Sequence, residues 1–301
     1  MTSIIQLRNA YQAGTLPKPY FLGAVYALTQ SLVEFQDALK GTQIREIIVG
    51  TDGLRIRTVD HDLELMLYPE EANSLGTGIL AFGDAERLER RALLAAAQQS
   101  RVILDIGANV GWYSLHFARV AGEARIYAFE PAARIHARLL ANLALNGITS
   151  VVTEQLALQD QEGTDTLYFH PVETGASSVR DNRGFTGVQP EEIRCTTLDL
   201  YCSRQGIRPD LIKCDVEGGE LSVVRGAWPP CRNASLSYSS NCSANGAPTS
   251  VTTRTRCSRS CRNSATRLGP SNHRASTPAR KSPATPWRPT SCSLAKASTT
   301  R

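Results

Sequence analysis

The stretch Val102-Ile103-Leu104-Asp105-Ile106-Gly107-Ala108-Asn109-Val110-Gly111-Trp112-Tyr113-Ser114 constrains this chain more than any other. An apolar run ends in an acid, glycines follow at 107 and 111, and an amphipathic segment begins. The pattern reads as a buried strand, a tight turn and the first turn of a helix. A helix start carries unpaired N–H groups and a positive dipole end, so it can hold an anion. Glycine lets the backbone approach a ligand that a Cβ would block.

The neighbouring segments supply a sheet for this strand to join. Residues 85–98, rich in Glu, Arg, Leu and Ala, predict a helix feeding into it. Arg125-Ile126-Tyr127-Ala128-Phe129-Glu130-Pro131 predicts a second buried strand, again ending in an acid, and Ala133 to Asn146 a helix stopped by Gly147. Val151–Glu154 predicts a third strand, Leu211–Cys214 with the turn Asp215-Val216-Glu217-Gly218 a fourth, and Glu220 to Arg225 another helix. Thr166–Phe169 and Ile193–Thr197 read as further strands around a Gly/Ser-rich loop at 175–178. Alternation of this kind implies an α/β fold, a mostly parallel sheet with helices on both faces.

Ahead of it lies a small antiparallel unit. Phe21, Val25, Leu28, Leu32 and Phe35 recur at helical spacing. Thr51-Asp52-Gly53 separates two β-rich runs, a hairpin signal, and Asp62–Leu67 alternates as a third strand. The expected organisation is an N-terminal extension over 1–75, a core over 76–228 and a tail over 229–301.

The net charge of +5 describes neither part of the chain. Up to Glu220, the last acid, 20 Lys and Arg face 28 Asp and Glu; beyond it stand 13 basic residues and no acids. From about Trp228 Ser, Thr, Arg, Pro and Asn dominate without apolar periodicity, which reads as a disordered basic tail. A frameshift accounts for the change more economically. Asn241–Ser250 can be back-translated so that the frame one base earlier encodes ELLRKWCANF, and the same shift can make Leu236 to Ser240 an apolar run. The last strands of the sheet are then expected to be missing from the chain as written.

There is no apolar run of the ~18 residues that a membrane span needs. The Met1–Ile5 start lacks a signal-peptide layout, so a cytoplasmic location is expected. Cys195, Cys202 and Cys214, set among apolar neighbours, read as buried free thiols. His116, His136 and His170 have no metal-site spacing.

The chemistry gathers at three acidic strand ends, Asp105, Glu130 and Asp215, because ligands of open parallel sheets bind outside the carboxyl ends of the strands. Glu130, 23 residues beyond Gly107, suits the two hydroxyls of an adenosine ribose. The turn is not the dinucleotide pattern G-x-G-x-x-G, since Asn109 stands where its middle glycine would be; a ligand without a pyrophosphate fits better. Asp105-x-Gly107-x-Asn109-x-Gly111 resembles motif I of the S-adenosylmethionine-dependent methyltransferases.

That motif, Phe129-Glu130-Pro131, Asn142 to Asn146, Leu198, and Lys213-Cys214-Asp215-Val216-Glu217-Gly218-Gly219-Glu220 come in an order that resembles the FkbM family of methyltransferases from about residue 80 to 227. The resemblance implies a Rossmann-like methyltransferase fold, S-adenosyl-L-methionine as cofactor, and O-methylation of a saccharide or small secondary-metabolite hydroxyl. It departs from the family in having Gly219 where alanine is common, and in its final strands. Asp105, Gly107, Asn109, Gly111, Glu130 and Asp160 are the implied cofactor-binding residues, with Asp160 in the adenine-side loop. Asp215 and Glu217 are the candidate bases for the acceptor hydroxyl; a turn-capping carboxylate is the alternative for either, an even one for Glu217 and a weaker one for Asp215. Lys213 reads as structural, Trp112 and Tyr113 as pocket lining or core, and Ser177 and Ser178 as loop residues. Three rival readings stand beside this one: a catalytically dead relic of the fold, an NAD-type oxidoreductase, and a nucleic-acid binder using the basic tail.

Overall fold

A computed structural model describes residues 3–68, 71, 74–169, 189–216 and 218–227, and the backbone of 235–238 and 255–256. The described residues lie within one unit, Met1–Ser258.

The N-terminal segment is a pair of helices, α1 (Ile4–Gln12) and α2 (Lys18–Ala38), followed by β1 (Ile44–Gly50), β2 (Gly53–Thr58) and β3 (Glu64–Leu67). The Asp52-Gly53 turn folds β1 back on β2, and the three strands form an antiparallel sheet in chain order. Alternation puts Ile56, Leu63, Leu65 and Leu67 into a cluster with Leu93, Ile103 and Leu115, so this sheet shares a core with strands and helices later in the chain. Helix α3 (Leu75–Phe82), which the sequence reading did not single out, is capped by the Ser74 hydroxyl and stopped by Gly83 in the left-handed region.

After α4 (Arg87–Ala97) come β4 (Val102–Ile106), α5 (Trp112–Val120), β5 (Arg125–Phe129), α6 (Ala133–Leu145), β6 (Val151–Glu154), β7 (Ala157–Gln159), β8 (Gly163–Phe169), β9 (Gln189–Thr197), α7 (Leu198–Gln205), β10 (Leu211–Cys214) and α8 (Glu220–Arg225). The backbone segments β11 (Ser235–Tyr238) and β12 (Thr255–Arg256) complete the described elements. The main sheet has the order β12-β11-β10-β4-β5-β6. All pairs in it are parallel except β11 with β12. Ile103 faces the cluster formed with α4, α5 and α6, whereas Leu104 and Ile106 face α7 and α8. Both faces of the sheet are therefore covered, which is why β4 reads as a continuous apolar run. The architecture is the doubly wound, Rossmann-like one.

Two expectations need correction. Thr166–Phe169 and Ile193–Thr197 are strands, but they belong to a separate sheet of order β7-β9-β8, and β7 was not anticipated. Nor does the sheet stop at β10: Ser235–Tyr238 runs parallel to it, with Leu211 opposite Ser235 and Cys214 opposite Tyr238. Strand pairing is made by main-chain N–H and C=O groups, which any non-proline residue supplies, so a segment without apolar patterning can still occupy that edge. The remainder of the 229–301 tail lies outside the described residues. Cys195, Cys202 and Cys214 are buried, as read. Among the described residues no helix is long and apolar enough to cross a membrane.

Candidate functional site

Strand order reverses between β4 and β10, with β5 and β6 on one side and β11 on the other. A reversal of this kind sets a crevice outside the carboxyl ends of the strands. A cavity of about 520 Å³ occupies it, lined by the turns after β4, β5, β7 and β10. That size suits a nucleoside-sized ligand.

The first turn is set by close approach. Gly107 has φ +72°, and a Cβ there would lie 1.9 Å from the main-chain oxygen of Asp215. Only glycine lets the β4 turn and the β10 turn pack this tightly. Asn109 also takes a left-handed conformation, φ 51°, which asparagine tolerates better than most residues. The Gly107 and Ala108 N–H groups both donate to the Phe129 carbonyl, at 3.0 and 2.9 Å, and Gly111 N–H donates to the Ala108 carbonyl at 2.9 Å. These donors are used within the protein. The loop contributes shape more than a nest of free N–H groups.

Glu130, one residue beyond β5, is 8 % exposed and lines the cavity. Its Oε2 accepts the Asn109 N–H and its Oε1 the Ala132 N–H, each at 3.0 Å. Each oxygen keeps acceptor capacity. Burial pushes the carboxyl up to about 7; the two backbone donors and the Lys213 ammonium pull it down less strongly.

Beneath the turn lies a buried charge pair. Lys213 on β10 sits opposite Asp105 on β4, and Lys213 Nζ is 3.1 Å from Asp105 Oδ1. The ammonium also donates to the Gly107 carbonyl at 2.8 Å, and Ser114 Oγ donates to Asp105 Oδ2 at 2.6 Å. Burial pulls the lysine down, but Asp105, Asp215 and Glu86 more than offset it and hold it above its ordinary value. Lys213 is therefore a charged residue lining the cavity. The Tyr113 ring lies 5.3 Å from its Nζ, and the Tyr113 hydroxyl donates to Glu86 Oε2 at 2.5 Å. Glu86 is exposed, lines the same cavity and has φ 49°. A left-handed conformation is uncommon for glutamate.

The structure brings Gly107, Asn109, Glu130, Asp160 and Asp215 to the cavity wall. Asp160 exchanges two hydrogen bonds with Ser222 of α8, its N–H donating at 3.2 Å and its Oδ1 accepting at 2.9 Å. Asp105 is fully buried and does not line the cavity; it acts through Lys213. Gly111, φ +95°, faces Leu139, where a Cβ would stand 2.6 Å from Leu139 Cδ1. Its part is the packing of α5 on α6. Trp112 and Tyr113 are buried and line the cavity, so they serve both readings. Glu217, Ser177, Ser178 and His170 lie outside the described residues. His116 is buried beside His61, with Nδ1 atoms 2.9 Å apart, and burial lowers it to about 3. Among the described residues no His, Cys, Asp and Glu cluster could hold a metal ion.

The sequence reading missed Glu86, absorbed into a helix that in fact starts at Arg87. Nothing local marks it; only the Tyr113 contact aims it at the cavity. The Asn142–Asn146 pair of the sequence motif lies away from the cavity floor. Asn142 Oδ1 accepts the Met66 N–H at 3.0 Å while its Nδ2 donates to the Val110 carbonyl at 2.8 Å. Asn146 exchanges two bonds with the Glu64 main chain. One helix face thus completes the free edge of β3.

Residues 105–234 match the methyltransferase FkbM domain. The chain is similar to methyltransferase sdnD of Sordaria araneosa, 32 % identical over 165 residues, covering 44 % of this chain and 63 % of that protein. It is 27 % identical to 2-O-methyltransferase NoeI of Sinorhizobium fredii, covering 54 % of this chain and 72 % of the relative. Hexuronic acid methyltransferase AglP of Haloferax volcanii is 26 % identical, with 45 % and 54 % covered. The chain thus spans less than two thirds of sdnD and of AglP. The likeness to the FkbM methyltransferases rests on the domain matched at 105–234.

Proposed function

We propose that the FkbM domain transfers a methyl group from S-adenosyl-L-methionine to a hydroxyl of a saccharide or small secondary metabolite. The observation that carries the reading is Glu130: a carboxylate on the cavity wall, fixed by one backbone donor from each of two loops, with acceptor capacity left on both oxygens for a ribose diol. The rest of the cavity fits the same cofactor. Phe129, Pro131 and Leu158 offer apolar surface on the Asp160 side for the adenine. At the other end Glu86 and Lys213 present opposite charges across Tyr113, suited to the ammonium and carboxylate of a methionine moiety.

When bound, the cofactor supplies an electrophilic methyl carbon. The protein's share is alignment and exclusion of water from an in-line displacement. Asp215, at the end of β10 and on the cavity wall, is the candidate to hold the acceptor's hydroxyl proton on its carboxylate, with Glu217 the second candidate. A hydroxyl acceptor is supported by the relatives named as a 2-O-methyltransferase and a hexuronic acid methyltransferase.

Calorimetric titration of the full chain with S-adenosylhomocysteine and, separately, with NAD tests the reading. Binding of the former alone, weakened in Glu130→Gln, is expected. Binding of NAD with no response to S-adenosylhomocysteine would overturn it in favour of an oxidoreductase. Binding without methyl transfer to any hydroxylated acceptor would indicate an inactive relic.

A further inference from the structure

Helix α2 has no buried residue. It touches α1, with Tyr11 stacked on Phe21 at 4.9 Å, and Phe21, Ala24, Val25 and Leu28 are its partly covered positions. The rest of the helix is left to solvent although much of it is apolar, Leu32 and Phe35 included, at 61 and 46 % exposed. Leu22, Tyr26 and Val33 are 54, 65 and 52 % exposed. No charged residue falls between Lys18 and Glu34.

One row of the exposed positions has a regular spacing. Pro19, Leu22, Tyr26, Thr29, Val33 and Gln36 alternate at three and four residues, the seam of a helix that packs lengthwise against another helix. The seam is self-complementary when run antiparallel. A two-fold axis between residues 27 and 28 sets Leu22 against Val33 of a second copy, Tyr26 against Thr29, and Lys18 against Asp37. Both Lys18–Asp37 contacts recur by symmetry, one at each end. Parallel pairing would instead set Lys18 on Lys18 and Asp37 on Asp37. Asp37 already meets Lys40 at 2.6 Å, but that pair is fully at the surface and weak, so it does not withhold the carboxylate.

We propose that α2 is the interface through which two copies of this chain associate, antiparallel, about an axis near Ala27–Leu28. A membrane surface suits the helix less well. Interfacial helices carry lysines and arginines along the polar face, and α2 has the single Lys18. The strip is about 31 Å long, 21 residues at 1.5 Å each.

Sedimentation velocity on the full chain over a concentration series tests this, with circular dichroism confirming that each variant is folded. The wild-type chain is expected to dimerise, and Tyr26→Glu to weaken dimerisation by at least about tenfold. Lys18→Asp and Asp37→Lys are each expected to weaken it, because each places like charges together at both ends. Mixing the two single variants is expected to restore a mixed dimer, as is combining them in one chain. A wild-type monomer at all concentrations overturns the proposal, as does a dimer indifferent to Tyr26→Glu. A Lys18→Asp dimer tighter than wild type overturns the antiparallel arrangement. A monomer whose flotation with anionic phospholipid vesicles is lost in Tyr26→Glu overturns it in favour of a membrane surface.

Discussion

The Asn109 N–H donates to Glu130 Oε2 at 3.0 Å and joins the turn after β4 to the turn after β5. A loop that a ligand would approach is thereby fixed by the carboxylate that would hold the ligand. Losing the charge on Glu130 changes both.

This coupling predicts a pH dependence. Burial raises Glu130 from an ordinary carboxylate value to about 7, so it ionises around neutrality. Nucleoside binding that uses the carboxylate should therefore strengthen as pH rises through about 7, and Glu130→Gln should flatten that profile. The stability effect has the opposite sign. With a folded value above the unfolded one, Glu130's contribution is fully present below about 4.5 and is lost as pH rises through about 7, on the order of 3 kcal/mol. Glu130→Gln should thus melt closer to or above wild type at pH 8 than at pH 5. Denaturant titrations at the two pH values check this; a variant equally weakened at both would exclude it.

Gly107→Ala should be poorly tolerated. The new Cβ would lie 1.9 Å from the Asp215 carbonyl in a residue at φ +72°. A cost of about 2–4 kcal/mol is expected, together with loss of nucleoside binding. Gly122→Ala, at φ +57° but with nothing within 4 Å, isolates the backbone term and should cost about 1 kcal/mol. Thermal unfolding of the pair separates strain from collision. Equal costs would mean that the β4 and β10 turns can move apart.

The Lys213–Asp105 pair should be non-additive. Both residues are buried, so Lys213→Met alone strands a carboxylate and should cost about 3–5 kcal/mol. Adding Asp105→Leu removes the stranded charge and should recover part of that loss. A double-mutant cycle by chemical denaturation measures the coupling, and simple additivity would rule the pair out as a coupled unit.

Asn142→Ala should free the edge of β3. It removes the acceptor for Met66 N–H and the donor to the Val110 carbonyl, a loss of about 1–3 kcal/mol. Amide exchange at Met66 should accelerate while that of Ile103, in the centre of the main sheet, changes only with global stability. Unchanged protection at Met66 would show that α6 does not hold β3.

One residue at the candidate amino-acid end, Glu86, can be read without an activity assay. Glu86→Gln should weaken S-adenosylhomocysteine by about tenfold and leave methylthioadenosine, which lacks the amino-acid end, unaffected. Equal weakening of both ligands would mean that Glu86 only supports Tyr113.

Much of this molecule was legible in the chain because its determinants are local. The strand–turn–helix at 102–114 follows from an apolar run and the two glycines, and Glu130 and Asp215 follow from acids placed just past buried strands. The family likeness rests on the same residues in the same order. What could not be read depends on contacts between distant segments. Asp105 and Lys213 look like independent charges until β4 and β10 align them in register. Glu86 looks like a helix residue until Tyr113, 27 positions later, holds its carboxylate at the cavity. Asn142 and Asn146 look like motif residues until β3 supplies main-chain partners. The β7–β9–β8 sheet and the Ser235–Tyr238 edge were also hidden, since backbone pairing is indifferent to the side-chain pattern on which a sequence reading depends. Sequence alone determined most of the elements, α3, β7 and the Ser235–Tyr238 edge excepted, and the chemical types at the strand ends. Only the tertiary structure decided which charges meet, because burial and partner distance set the energy of a charge, and neither is a property of a residue's neighbours along the chain.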